Sequence, residues 1–303
     1  MAPESSLIII TLDRPDLLRR TLEGLMRQTR AAGEILVIDN GPDSQTERTV
    51  SSFEGRLPVR YVAEGKRGYG RARNRGLTEA QGDFIYFLDD DCVPQPNWAD
   101  VLQGVLESGM ADLVGGSRSP GQPGFAARLE YLSTDGPVLS PLLEPGPTRH
   151  LSTSNLAMRR EVVEKVGQFD ATLVMCEDRD FTTRARIRGF RLYYEPRARV
   201  THFAPIHNLS GYLAKMRHYG HGTSQYFLRW CGEEPLARLF PESPAARLVL
   251  LPALAAAGTA YLVARNLPQC PDVVPLSPWL FFGQMWWHWG GYEAMREERR
   301  KGC

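Results

Sequence analysis

Between residues 6 and 115 the chain alternates short apolar runs with helix-like segments, and this alternation limits its fold more than any other feature. The runs are SLIIIT, EILVID, VRYVAE, FIYFLD and DLVGG. They are short and rich in β-branched or aromatic residues, like strands buried on both faces of a parallel sheet. After the first comes LDRPDLLRRTLEGLMRQT, where Pro15 suits a first helical turn and Leu18, Leu22, Leu25 and Met26 recur on one face. Strands alternating with amphipathic helices predict βαβ units and a mainly parallel α/β sheet flanked by helices.

The ends of the runs carry the chemistry. A strand buried on both faces cannot hold unpaired charge inside, so Asp89, Asp90 and Asp91 are expected at or beyond the end of FIYFL, where open α/β sheets place ligands. Exposed carboxylates this crowded repel by about 1 kcal/mol per pair, and hard oxygen donors suit Mg²⁺ or Mn²⁺ completed by phosphate oxygens and water. Strand alternation would turn Asp89 and Asp91 one way and Asp90 the other, one towards a ribose and the last towards the metal. Asp39 closes EILVIDNG and could accept from a nucleobase or ribose, although Asp-Asn-Gly is also an ordinary turn sequence.

Two more segments carry alternatives. In GYGRARNRG, residues 68–76, Arg73 replaces the third glycine of GxGxxG, so the helix-packing logic of a dinucleotide fold fails. A turn opening a basic helix remains, and Arg71, Arg73 and Arg75 could hold a diphosphate or form a solvated face. Glu177 and Asp178 open EDRDFTTRARIRG, either compensating the helix dipole or supplying a general base. His202, in RVTHF, is a candidate third metal ligand or a structural histidine, while His207, His218 and His221 have no interpretable spacing.

Elsewhere the reading is coarser. Between Ser119 and Pro147 the Gly- and Pro-rich pieces SPGQPG, DGP and EPGP predict a long surface loop. LSTSNLAMR, RLYYEP and RVTHF read as strands, EVVEKVG and EDRDFTTRARIRG as helices. Beyond residue 210, GYLAKMRHYGHGTSQYFLRW has helical spacing and is expected to pack on the catalytic body. Residues 248–264 carry no charge but are short for a membrane span and contain Pro252. With the aromatic PWLFFGQMWWHWGGY and the basic REERRK, they leave buried helices, a homodimer seam and a peripheral membrane contact open. The 36 basic and 35 acidic residues nearly cancel, so no global field points to nucleic acid. Cys92, Cys176, Cys231, Cys270 and Cys303 form no CxxC pair and read as free thiols, and the start lacks a signal-peptide pattern. The expected location is cytoplasmic, with the inner face of the membrane open.

In order and spacing, IIITLDRPDLLRRTLEGLMRQ, EILVIDNG, GYGRARNRGLTEAQGDFIYFLDDDC, TSNLAMRREVVEKVGQFD and EDRDFTTRARIRGFRLYYEPRARVTHF resemble family-two inverting glycosyltransferases with the A-type, nucleotide-diphospho-sugar-binding fold. The resemblance implies a Rossmann-like catalytic domain over residues 1–210, an acceptor-side loop near 119–150 and a helical C-terminal extension over 211–303. It implies a nucleotide-diphospho-sugar held by Thr11, Asp13, Asp39, Arg73, Asp89, Asp90 and Arg184. It further implies Mn²⁺ or Mg²⁺ on Asp91, with Asp89 and His202, Asp178 as catalytic base, and Glu177 orienting the base or the acceptor. Pro42 stands where the family often has Ser after the DNG turn. A sugar-1-phosphate nucleotidyltransferase shares the metal and basic loop but needs no Glu-Asp pair, and a degenerate nucleotide-sugar-binding scaffold is the non-enzymatic alternative. The acceptor, whether glycan, lipid, peptide or small metabolite, is not readable.

Overall fold

The computed structural model describes residues 3–234, 237, 240, 241 and 243–301; Cys303 and the first two residues lie outside them. The chain divides into two compact units. One comprises the residues up to Gly121 with Leu139–Thr172 and Glu177–Ala204. The other comprises Gln122–Val138, Leu173–Cys176 and the residues from Pro205 on.

The first unit contains β1 (Ser5–Thr11), α1 (Pro15–Leu25), β2 (Glu34–Asp39), α2 (Ser44–Ser51), β3 (Val59–Ala63), α3 (Tyr69–Glu79), β4 (Phe84–Asp89), β5 (Cys92–Pro94), α4 (Trp98–Glu107) and β6 (Leu113–Pro120). After α5 (Phe125–Ser133) and the short α6 (Gly136–Leu139), the same unit continues with β7 (Gly146–Pro147), β8 (Asn155–Arg159), α7 (Arg160–Val166), α8 (Glu177–Ile187) and β9 (Leu192–His202). The sheet order is β3-β2-β1-β4-β8-β6-β9-β5, with β7 on β9. Strands β3, β2, β1 and β4 are mutually parallel, whereas β8 enters antiparallel between β4 and β6. The result is the expected mainly parallel mixed sheet.

Strand parity sorts the core. Leu7, Ile9, Ile35, Val37, Tyr86 and Leu88 face α1 and α4 through Leu18, Leu22, Trp98 and Leu102. Ile8, Ile10, Leu36, Ile38, Ile85 and Phe87 face the other way, towards Ala72, Val162 and Phe181 of α3, α7 and α8. Residues of period two on a pleated strand leave both faces apolar, so charge is driven to the strand ends. The register makes those ends level, because Thr11 pairs with Asp39 and Ile10 with Asp89.

Three expectations are corrected. The segment between Ser119 and Pro147 is not a plain surface loop, because α5 buries Leu129 and Leu132 completely. Part of its Gly and Pro punctuation lies at the helix ends, with Gly124 at a φ of 142° before the first turn, and the last piece, EPGP, leads into β7. RLYYEP and RVTHF form one 11-residue strand, β9. Pro196 fits because the register with β6 shifts there, passing from Gly116–Glu195 to Ser117–Arg199, so the ring meets no ladder acceptor. Ser117 Oγ donates to the Pro196 carbonyl at 2.7 Å, and Asn155 Nδ2 donates to the Ser117 and Ala198 carbonyls at 3.0 and 2.9 Å. Finally, Asp90 and Asp91 do not alternate like strand residues, because β4 ends at Asp89 and they form the turn into β5.

The second unit is helical. It holds α5, α9 (Leu209–Arg229), α10 (Pro244–Val249), α11 (Leu251–Asn266) and α12 (Val273–Lys301). Leu129, Leu132, Tyr212, Met216 and Leu280 form its centre. Helices α9 and α12 approach at glycines: a Cβ on Gly220 would collide with the Trp287 carbonyl, and one on Gly290 with the Arg217 carbonyl. Pro252 falls in the first turn of α11, where a missing N–H costs nothing, so the uncharged run is split into two helices. Among the described residues no helix is long and apolar enough to cross a membrane.

Candidate active site

The site forms where β1, β2 and β4 end together. Asp39, fully buried, accepts from the Gly41 and Asp43 amides at 3.2 and 3.1 Å and from the Tyr61 hydroxyl at 2.9 Å. Its carboxylate therefore builds the turn that the Asp-Asn-Gly sequence anticipates, and burial together with that bond pushes the Tyr61 phenol up. Asn40 Oδ1 accepts from the Gly68 amide at 2.9 Å, joining this turn to the glycine-rich loop. Gly68 has a φ of 151°, a conformation that favours glycine, and α3 starts immediately after it. Two glycines of this segment allow close approach: Gly70, where a Cβ would press on the Asp170 carbonyl, and Gly76, one turn beyond the position read from sequence. A Cβ there would overlap Cγ2 of Ile8 on β1.

That packing directs one arginine inward. Arg73 is 5% exposed, whereas Arg71 and Arg75 are exposed and Arg75 pairs with Glu79 at 2.8 Å. Arg73 hydrogen-bonds Glu177 at the start of α8 and lies 3.6 Å from Asp89 at the end of β4. Burial alone would lower its pKa, but Glu177, Asp89 and Asp178 raise it instead. Burial pushes the Glu177 carboxyl up to about 7, with Arg73 opposing and Asp178 adding to the shift. Asp178 is half-buried and accepts from the Arg179 amide at 2.7 Å. One guanidinium thus joins the acidic strand end to the Glu-Asp pair.

The acidic turn has its own supports. Thr11 Oγ1 donates to Asp90 Oδ2 at 2.7 Å, and Thr21 Oγ1 donates to the Asp90 carbonyl at 2.8 Å and the Cys92 carbonyl at 3.2 Å. Arg14 Nη1 lies 3.5 Å from Asp90 and 3.4 Å from Asp91. Burial, reinforced by Asp91 and opposed by Arg14 and Thr11, pushes Asp90 up to about 7. His202 Nε2 lies 3.6 Å from Asp91 Oδ2, because Cys92 of β5 pairs with His202 of β9. A carboxylate oxygen of Asp91 and an imidazole nitrogen thus stand side by side, donor types that Mn²⁺ accepts, and Asp89 closes β4 two residues before Asp91.

Not every candidate is gathered here. Asp13 is exposed, with a φ of 54°, and pairs with Arg67 at 3.4 Å. Arg184 donates to Asp180 at 2.8 Å and to the Val166 and Gln168 carbonyls at 3.0 and 2.8 Å, tying α8 to the end of α7. Sequence reasoning passed over Arg14, Thr21 and Tyr61. Arg14 stands directly before Pro15, and only the fold reveals its partners. Cys176, immediately before Glu177, shares with Asp13 a positive φ, at 65°, and strained backbone of this kind clusters at functional sites.

Residues 6–167 match Glycosyl transferase family 2. The chain is 28% identical over 198 residues to the glycosyltransferase AglE of Haloferax volcanii, covering 63% of this chain and 64% of AglE. It is 27% identical over 221 residues to the O-antigen biosynthesis protein RfbC of Myxococcus xanthus, covering 66% of this chain but 17% of RfbC. The match therefore spans less than two thirds of either relative's length. The solved mannosyltransferase PcManGT of Pyrobaculum calidifontis, in complex with GDP-Man and Mn²⁺, shares the fold at a TM-score of 0.65 and 18% identity, covering 93% of this chain and 86% of that one. With the family match extending over more than half of its residues, from β1 to the end of α7, the chain belongs to glycosyl transferase family 2.

Proposed function

We propose that this chain transfers a sugar from a nucleotide-diphospho-sugar to an acceptor hydroxyl in one inverting displacement, with Asp178 as general base. The observation that carries the reading is the Arg73 bridge between Asp89 and Glu177, which fixes the Glu-Asp pair beside the acidic strand end. Asp39 and Thr11 line the nucleotide side, with Asp90 held by Thr11. Asp89, Asp91 and His202 would hold Mn²⁺ or Mg²⁺, which when bound neutralises charge on the diphosphate. Arg73 adds fixed positive charge where the leaving diphosphate gains negative charge. Asp178 takes the acceptor proton as that oxygen attacks the anomeric carbon from the face opposite the departing group. Glu177, anchored by Arg73, orients Asp178. No enzyme nucleophile is needed, so one displacement inverts the centre.

Asp178→Asn tests the assignment: donor binding by calorimetry, with and without Mn²⁺, should persist while turnover falls by at least about 100-fold. Lost donor affinity with unimpaired turnover of bound complex would contradict the role, and a product of retained configuration would contradict the displacement. Pyrophosphate release from nucleoside triphosphate and sugar phosphate would instead support nucleotidyl transfer. A peripheral contact of the second unit with the cytoplasmic face of a membrane is supported by Trp279, Phe282, Trp286 and Trp289, all exposed at helical spacing on α12. Flotation with anionic liposomes tests it.

A further inference from the structure

Within the helical unit, Arg247 of α10 is 2% exposed, yet Nε and Nη2 have no hydrogen-bond partner among the described residues. These two nitrogens form the edge of a guanidinium that receives a carboxylate or phosphate side-on. At three other arginines the same edge is filled: Nε and Nη2 of Arg128 bind Asp272, those of Arg191 bind Asp112, and those of Arg217 bind Glu293. At Arg247 the remaining contacts are soft. Nη1 points at Met295 Sδ at 3.8 Å, and the rings of Phe240 and Trp287 lie 5.4 and 5.6 Å from the guanidinium carbon. No described carboxylate answers the charge, and burial pulls the guanidinium down to about 10.

A second group borders the same space. Ser224 of α9, 2% exposed, has an Oγ with no hydrogen-bond partner among the described residues. A Cβ on Gly291 of α12 would collide with both Ser224 Oγ and Arg247 Nη2, so the two polar atoms meet over the bare backbone of this glycine. A buried charge without a partner costs several kcal/mol, and two unfilled donors of one fork beside an unfilled hydroxyl match the oxygens of one small anion.

We propose that Arg247 and Ser224 bind a small oxyanion, a carboxylate or phosphate of inorganic size, which joins α9, α10 and α12 as a buried counterion. The full chain, desalted into oxyanion-free buffer, is followed by thermal unfolding while phosphate, formate or chloride is added at fixed ionic strength. Phosphate or formate should raise the transition by about 5 °C at saturation, and chloride should raise it less. Arg247→Met, which keeps length and removes the fork, should abolish the response. Arg247→Lys and Ser224→Ala should each raise the half-saturating concentration by about tenfold, and they serve if the methionine variant does not fold. Ion chromatography of anions released on denaturing freshly purified protein should find about one equivalent, absent from Arg247→Met. An unchanged transition with no stoichiometric anion would overturn the proposal, as would an equal response in the Arg247 variants, which would place the anion elsewhere.

Discussion

Gly76→Ala should destabilise the first unit and weaken donor binding together, because the glycine sets how closely α3 approaches β1. The added Cβ would overlap Ile8 Cγ2 and lie 3.2 Å from Cδ1 and Cγ1, so helix and strand must part by about 1 Å to restore van der Waals contact. Overpacking of this kind costs about 1–3 kcal/mol, against about 1 kcal/mol gained from alanine's helix propensity. The net expectation is a loss of about 1 kcal/mol. Gly104 of α4 supplies the internal control, since a Cβ there meets nothing within 4 Å, and Gly104→Ala should gain about 0.5–1 kcal/mol. Moving α3 outward also draws Arg73 from Asp89, now at 3.6 Å, which weakens that attraction by about 1 kcal/mol at an effective dielectric of 20. Donor affinity should fall about fivefold in Gly76→Ala and stay unchanged in Gly104→Ala. Urea unfolding and calorimetric donor titration measure both. In a double-mutant cycle with Ile8→Ala, the new methyl should partly fill the cavity, giving a favourable coupling of about 1 kcal/mol. If Gly76→Ala proves as stabilising as Gly104→Ala, the close approach does not constrain this helix and the reasoning fails.

Two further perturbations probe separate parts of the chain. Thr21→Val strips a buried donor from the Asp90 and Cys92 carbonyls and should cost about 1–3 kcal/mol in urea unfolding, with weaker Mn²⁺ uptake because the acidic turn loses its anchor; unchanged stability would show that the hydroxyl is dispensable. In the helical unit, burial, assisted by Arg247, pushes the His288 imidazole from 6.5 down to about 3. The unfolded chain then binds the proton that the folded chain refuses, so stability is retained above pH 6.5 and lost as pH falls below it, by about 1.4 kcal/mol per unit. Between pH 6.5 and 5 the wild type should lose about 2 kcal/mol relative to His288→Gln, and parallel curves for the two proteins would rule out a buried neutral imidazole.

The convergence at the site shows how far local reading reaches. Asp39 and Asp89 were legible as strand ends because an apolar run on both faces must release charge at its terminus. That Arg73 alone of three nearby arginines turns inward depends on the approach of α3 to Ile8, which no local period encodes. Glu177 lies 104 residues from Arg73, and their pairing exists only once α8 packs against the same face of the sheet. FAARLEYLS reads as loop because flanking glycines and prolines dominate a short window, whereas burial of Leu129 and Leu132 decides for a helix.

Sequence by itself determined the parallel half of the sheet, the helices α1, α3, α8 and α9, and the family, since each follows from residue periodicity or from motifs read in order. Only the tertiary structure decided that β8 inserts antiparallel between β4 and β6, that Arg14 pairs with two aspartates, and that Arg247 is buried without a carboxylate among the described residues. The reason is physical: local pattern governs which way a side chain faces its own element, while its charge partner is chosen by elements that meet only through long-range burial.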